Sequence, residues 1–519
     1  MSVSREFAIE RSVKIPTSII RPLPTISMLQ KRRSAAWTEE GEAHDIATFQ
    51  HVVKTVPAYK QFIQKNGVRA ARIKKGADLA SIPPVTKSNY LRAFEWHDLI
   101  SGDLLNDEHL VLAATSGSTG KPFYFPRTSA LDEQATLFHQ LFLLNSGLSP
   151  RKKTLVLVCF GMGVWIGGII TYEAFSRVSQ CGFPLTIMTT GPNKHTIFEA
   201  LSEIGSHYEQ LIICGYPPFI KDVVEEAGSH SIDWKRWETR ILCAAEPFSE
   251  DFRAHLAKIA RIDEPLRGIM NIYGSAELGT MAIETPLSIQ VRRWAIERPA
   301  LFSDLFDEAH RLPTFAQFIP SCVNFSTHDG SILCTSDNAL PLIRYEIGDR
   351  GGVKTYEEVA TICKKHGINP ESAAKKLGIS DTLMELPFVY IYERSDMATK
   401  LYGALIFPEH VRAGLTHHSL ADDLTGKFTM LTKHDDHHNE YLEIHFELKP
   451  GKQGDPELEK RVAEKVVEAL LEKSDEYRDV TRNVKERAIP SIKLWPHGDP
   501  THFQTGIKQK WVKKAVDKK

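Results

Sequence analysis

The sequence predicts an α/β protein, with a large N-terminal domain of β-sheets packed with helices and a smaller α+β C-terminal domain. Three observations predict it. The 519 residues exceed the ~150 of an average domain several-fold. From about Leu110 to Gly352, short apolar runs alternate with helical patterns, as in βαβ units packed on a sheet. Beyond Asp396 the pattern changes to two strand-like runs and one amphipathic helix, and ~100 residues suffice for a separate core. The divisions that follow are 1–107, 108–395 and 396–519.

Residues 1–107 read as a mostly helical lead-in, with Pro57, Pro83 and Pro84 as breakers and Thr86 as a helix start. The strand-like runs of 108–395 are LVLAAT, LVLVCF, PLTIMTT, LIICGY, TRILCAAE and GIMNIYG, and the helical patterns include 219–227 and 250–260. Residues 155–172 carry no charge, close to the ~18 apolar residues that nominate a membrane helix. Gly161, Gly163, Gly167 and Gly168 fall inside that stretch and are poor interior helix residues. A buried strand, a Gly-rich turn and a helix start are expected instead, and no membrane span. Residues 356–386 hold two short helical patterns separated by Gly367 and Pro370 and read as an insertion. The small domain is expected to have strands at 427–432 and 441–448 and a helix at 456–473.

Hydrophobic residues make up 42% and charged residues 25%, the balance of a folded globular protein. Lys and Arg number 64 against 65 Asp and Glu, so no basic excess exists to neutralise a phosphate backbone, and nucleic acid is not expected as a partner. The seven cysteines are scattered, with no C-x-x-C pair, which argues for reduced, mostly buried thiols rather than a disulfide framework or zinc ribbon. The first residues lack the apolar core of a secretory signal, so the expected location is cytoplasmic.

The sharpest motif is Thr115, Ser116, Gly117, Ser118, Thr119, Gly120, Lys121 and Pro122, directly after a strand-like run. Glycines and hydroxyls let backbone N–H groups converge on phosphate oxygens, and the lysine adds positive charge. Thr115 and Pro122 stand where a Walker A loop needs glycine and Ser/Thr. Neither Ser118 nor Ser275 has the glycine two residues before it that a nucleophile elbow requires. A plain Ser/Gly turn is the alternative. NIYGSAE (271–277) and RYEIGDR (344–350) follow. Taken singly, Glu277 also reads as a helix-terminal carboxylate, Tyr273 as a core aromatic and Asp349 as a turn residue beside Gly348.

In order, TSGSTGKP, NIYGSAE, IRYEIGDRG and ERSD (393–396) resemble the motif set of the adenylate-forming acyl- and aryl-CoA ligase superfamily. PAYKQF (57–62), IPPVTK (82–87), AAEPFSE (244–250) and GALIFPEHV (403–411) resemble its phenylacetate-CoA ligase branch. The resemblance runs from about residue 50 to the C-terminus. It implies ATP-dependent activation of a carboxylic acid, aromatic or arylacetic, to an acyl-adenylate, then transfer to coenzyme A. The alternatives are a non-CoA acceptor (an amine, a carrier-protein thiol or a protein) and a non-catalytic nucleotide-binding homologue.

By that resemblance, Thr115 to Lys121 hold the ATP phosphates, Tyr273 lies against adenine with Ala245, Glu246 and Pro247 on the other side, and Gly274 and Ser275 border the nucleotide. Glu277 ligates Mg²⁺, which favours hard oxygen donors. Asp349 accepts from the ribose hydroxyls with Arg394 nearby, and Phe160, Gly161 and Gly274 border the acyl group. The small domain is mobile about a hinge at Asp396. The adenylation lysine is Lys508, with Lys510 the rival, because Ile507 separates Gly506 from the lysine where the family has the two adjacent. His434 to Glu440 has enough N and O ligands for a metal but reads as a solvated hairpin loop. Residues 278–287 contain neither Cys nor His, so the zinc of some relatives is not expected.

Overall fold

A computed structural model describes residues 23–102, 104–107, 109–114, 123–163, 166–308, 312–392, 399–401, 404–415, 419–434, 440–503 and 511–512. The apolar runs become strands: β1 (Val111–Ala114), β2 (Tyr124–Arg127), β3 (Thr154–Val158), β4 (Leu185–Met188), β5 (Gln210–Gly215), β6 (Glu238–Ala244) and β7 (Ile269–Ser275). Then come β8 (Gly279–Ile283), β9 (Thr314–Phe318), β10 (Asn324–His328), β11 (Ser331–Ser336), β12 (Leu342–Lys354) and β13 (Phe388–Tyr392). Among the described residues, eleven of these form one sheet in the order β10-β11-β12-β13-β9-β8-β7-β6-β5-β3-β4.

From β4 through β7 the pairing is parallel. Val156, Ile212, Leu242 and Met270 pack into one core cluster, while their neighbours Leu155, Leu211, Ile241 and Ile269 pack into another. Alternate side chains of each strand thus bury opposite faces of the sheet. That is why these strands read as continuous apolar runs rather than as an alternation. The stretch 155–172 resolves into β3, a turn at 159–163, and the helix Ile166–Gln180. No described helix is long and apolar enough to cross a membrane.

Two features depart from the sequence reading. LVLAAT does form a strand, β1, but it pairs antiparallel with β2 outside the main sheet. Leu112 is 48% exposed, so β1 has a free face and closes a local hairpin instead of joining βαβ units. Beyond β7 the sheet turns antiparallel through β8, β9, β13, β12, β11 and β10. The helices Tyr356–Lys365 and Pro370–Lys376 of the expected insertion lie in the connection between the adjacent strands β12 and β13.

Toward the C-terminus, β14 (Thr399–Leu401) pairs with β15 (Ala404–Ile406), and β16 (Leu424–His434), β17 (Glu440–Leu448) and β18 (Ser491–Trp495) form a three-stranded sheet. The helix Pro456–Lys473 begins on Asp455, whose carboxylate accepts from Leu458 N at 2.8 Å, and packs Val462, Val466 and Leu470 onto Phe428, Ile444 and Phe446. Trp511 closes this core: its carbonyl accepts from Met430 N at 2.7 Å, and Arg412 lies 4.7 Å over its ring. His434 and Glu440 pair across the mouth of the β16–β17 hairpin, and 435–439 lie outside the described residues. Six of the seven cysteines are buried, Cys181 being exposed, and none is in a disulfide.

Candidate active site

A cavity of about 640 Å³ opens at the carboxyl ends of the parallel strands. It lies where α/β sheets generally bind ligands, at the point where strand order reverses. Here β3 has β4 on one side and β5 on the other. Phe160, just after β3, and Tyr216, just after β5, meet edge to face at 5.2 Å and both line the cavity. Ile170, Leu242 and Ile272 extend this apolar floor.

The polar wall comes from the turn joining β7 to β8. Glu277 stands in that turn, 6% exposed, and Ser275 Oγ steadies it by accepting from Leu278 N at 3.2 Å. Two glycines make the turn feasible. A Cβ on Gly274 would lie 2.7 Å from the carbonyl oxygen of Gly279, and Gly279 has φ +66°, a region that side chains disfavour. Glu277 Oε1 sits 2.8 Å from Lys87 Nζ and accepts from the buried Tyr345 hydroxyl at 3.2 Å. Burial alone would raise the Glu277 carboxyl. The Lys87 charge and hydrogen bonds outweigh it and hold the group below its ordinary value, hence ionised at neutral pH.

Lys87 was assigned no role from the sequence, although IPPVTK was legible as a motif. The structure supplies the role by laying that segment along β12. Val85 N donates to Arg344 O at 3.2 Å, and Glu346 N donates to Val85 O at 2.9 Å. Thr86 then caps the turn Lys87–Leu91, its hydroxyl accepting from Asn89 N at 3.0 Å, and Lys87 emerges beside Glu277. In a Lys87→Met variant the buried Glu277 loses its counter-charge and should titrate at higher pH. The acidic limb of any activity that needs its charge should then move upward, and an unchanged pH–rate profile would refute this coupling.

The predicted residues are only partly gathered. Ala245, Gly274, Ser275, Glu277 and Phe160 line the cavity, as do Glu346, Ile347 and Gly348 of the second motif. Ala245 has φ +72°, a left-handed conformation that costs a non-glycine residue roughly 1–2 kcal/mol and marks a constrained segment. Its neighbours diverge. The Glu246 carbonyl accepts from Asn271 Nδ2 at 3.0 Å, and Pro247 lines a separate cavity of about 440 Å³.

Tyr273 and Asp349 meet each other, the hydroxyl donating to Asp349 Oδ2 at 2.5 Å, and Tyr273 tilts against Phe325 at 6.2 Å. Neither is among the residues lining the larger cavity, nor is Gly161. Thr115, Ser116, Gly117, Ser118, Thr119, Gly120, Lys121, Arg394, Asp396, Lys508 and Lys510 lie outside the described residues.

No family model matches this sequence, and no curated protein does. Solved structures do match. 2-Hydroxyisobutyryl-CoA ligase in the postadenylation state, in complex with R3-HIB-AMP, has a TM-score of 0.66 at 13% identity, covering 96% of this chain and 95% of that one. In the thioesterification state, with 2-HIB-AMP and CoA, the TM-score is 0.54 at 14% identity over 96% and 95%. The chain therefore has the fold of the adenylate-forming acid–CoA ligases.

Proposed function

We propose that this protein activates a carboxylic acid with ATP, forming an acyl-adenylate and pyrophosphate, and then passes the acyl group to coenzyme A. The observation that carries this reading is the cavity of about 640 Å³ in which the ionised Glu277 meets an apolar floor at the carboxyl ends of β3, β5, β6 and β7. The fold supports it, since a chain of the same architecture is described with an acyl-AMP and with CoA. The motifs PAYKQF, IPPVTK and AAEPFSE, with the aromatic floor, support an aromatic or arylacetic acid and the phenylacetate-CoA ligase branch.

In this reading the carboxylate oxygen attacks the α-phosphorus of ATP, and the bond from that phosphorus to the oxygen bridging to the β-phosphate breaks. Thr115 to Lys121 hold the departing phosphates. Tyr273 and Asp349 hold adenosine, with Asp349 turning from the Tyr273 hydroxyl to the ribose and Arg394 beside it. Lys508, or its rival Lys510, bridges the carboxylate and the α-phosphate. Residues 396–519 move about Asp396 between the two half-reactions.

A magnesium ion fits at Glu277. The carboxylate is a hard, ionised oxygen donor on the cavity wall, and its Lys87 partner, 43% exposed on a flexible stem, can withdraw. When bound, the ion would neutralise charge developing on the polyphosphate. Six buried free thiols suit a reducing compartment, in keeping with a cytoplasmic location.

The test is carboxylate-dependent ATP–pyrophosphate exchange with Mg²⁺ across aryl, arylacetic and aliphatic acids, followed by addition of CoA. Exchange with one acid class, and thioester on adding CoA, is the expected result. Exchange without thioester would redirect the second step to an amine, a carrier-protein thiol or a protein. Absence of exchange with every acid, in folded protein that binds ATP, would favour a non-catalytic homologue.

A further inference from the structure

Among the described residues, the C-terminal sheet β16–β18 meets the rest of the chain through charges rather than through a shared core. Its buried apolar core runs from Leu401 to Trp511 and takes no residue from before Leu401. The cavity of about 440 Å³ lies between the two units, bordered by Phe252, Phe302 and Ile391 on one side and by His410, Arg412 and Lys473 on the other. Apolar packing between them is therefore incomplete. The polar contact falls on the helix Pro217–Glu226. Lys427 Nζ, from β16, sits 3.0 Å from Asp222 Oδ2, and Lys449 Nζ sits 3.8 Å from Glu225 Oε2. From the helix side, Lys221 Nζ donates to the carbonyl oxygen of Thr425 at 3.3 Å.

The charged partners also have counter-ions on their own side. Lys427 Nζ lies 3.3 Å from Glu447 Oε2 on β17, and Glu447 is itself fixed by Thr425 Oγ1 and Gly498 N, each donating to it at 2.8 Å. Asp222 has Lys194 Nζ at 3.5 Å. Glu225 has Lys221 Nζ at 2.8 Å and His255 Nε2 at 3.2 Å. In the docked arrangement the Asp222 and Glu447 side chains are 5% and 1% exposed, and Lys427 bridges them. If the two units part, Asp222 keeps Lys194 and Lys427 keeps Glu447. Neither side is left with the unpaired buried charge that makes breaking a buried ion pair costly, so the contact can open and close, as polar contacts between domains do. The same helix reaches the larger cavity, because Tyr216, immediately before it, meets Phe160 on the floor.

We propose that Lys427 and Asp222 form a latch that holds residues 396–519 in the pose of this structure, with Lys449 and Glu225 as its second contact, and that the latch sets how readily this part of the chain leaves that pose. These are positioning residues, acting through the placement of the C-terminal sheet. Movement of 396–519 during turnover rests on the adenylation reading, whereas the latch is testable without substrate.

The test is a spin-label distance across the contact, measured on the full chain. Cys181 is exposed and the other six cysteines are buried, and Lys460→Cys puts a second label on an exposed position of the helix Pro456–Lys473. The otherwise unaltered protein should give one main distance. Asp222→Asn and Lys427→Gln should each raise the population outside that distance by about fivefold, the upper range for one ion pair with some exposure, and Lys427→Gln with Lys449→Gln should raise it further. Lys194→Gln, which removes only a pair within the large unit, should leave the distribution unchanged. Urea midpoints close to that of the parent would show that the variants are undocked rather than unfolded. Asp222 and Lys427 stand on opposite sides of the contact, so either variant decides the question if the other fails to fold. An unchanged distribution in the variants, or an equal shift in Lys194→Gln, overturns the latch. ATP–pyrophosphate exchange is scored separately: exchange with an unchanged distribution overturns the latch and leaves adenylation standing, and a shifted distribution without exchange does the reverse.

Discussion

Glu277→Gln is expected to lower carboxylate-dependent ATP–pyrophosphate exchange by about 10²–10³-fold, the loss typical when one preorganised electrostatic group is removed from a reacting centre. The substitution keeps the shape of the side chain and an oxygen to accept from Tyr345, so the β7–β8 turn should hold. It removes the negative charge that Lys87 balances and that a magnesium ion would use. Thermal unfolding and ATP binding without Mg²⁺ should change little, and the loss should fall on the Mg²⁺-dependent chemistry. Exchange within about threefold of wild type would show that Glu277 is a structural carboxylate neutralised by Lys87, with no part in the reaction, a small effect by the standard that tenfold is 1.4 kcal/mol.

Arg253→Met is expected to destabilise the large domain by about 3–5 kcal/mol, as breaking a buried ion pair on one side does. Arg253 is fully buried. Its Nη2 contacts both oxygens of Glu284 at 2.9 Å, and its Nε reaches Glu250 at 3.1 and 3.2 Å. Arg292 lies 2.9 Å from Glu284 and 3.1 Å from Glu250, and the half-buried Arg293 reaches Glu250 at 3.0 Å. Losing Arg253 leaves Glu284 with Arg292 and Glu250 with Arg292 and the half-buried Arg293, and methionine fills the volume without replacing the charge.

The damage should reach the site, because Glu284 Oε2 accepts from Asn271 N on β7 at 2.9 Å, the strand that carries Tyr273 and leads to Glu277. A lowered urea midpoint is the expected reading, and an unchanged midpoint would refute the account. The network also sets an acid limit. Burial would raise Glu250, but the Arg253 and Arg292 charges bring it down to about 2 from an ordinary 4.5. Because the folded value lies below the unfolded one, its stabilisation is complete above about pH 4.5 and is lost as pH falls toward 2. Arg253→Met should flatten the stability–pH slope across that window.

Much of the α/β core was legible because its signals are local. LVLVCF, LIICGY and GIMNIYG read as strands because both faces of the parallel sheet are buried, which makes consecutive residues apolar. The helix Pro456–Lys473 was legible from its amphipathic period and its Asp455 cap. NIYGSAE and RYEIGDR could be singled out by their order along the chain after TSGSTGKP, since taken singly Tyr273, Glu277 and Asp349 each read as an ordinary core, helix-terminal or turn residue.

Pairing left no such mark. That β1 would close on β2, and that the sheet would turn antiparallel after β7, depend on which edges meet, and strand periodicity is the same for either partner. The contact of Lys87 with Glu277 joins segments far apart in the chain through the bridge of Val85 to β12. The sequence by itself determined the elements and the residue types available for the chemistry, because propensity, periodicity and turn geometry act over a few residues. Which carboxylate received a lysine, and which strand edges met, only the tertiary structure decided, because burial and pairing are set by residues that meet in space.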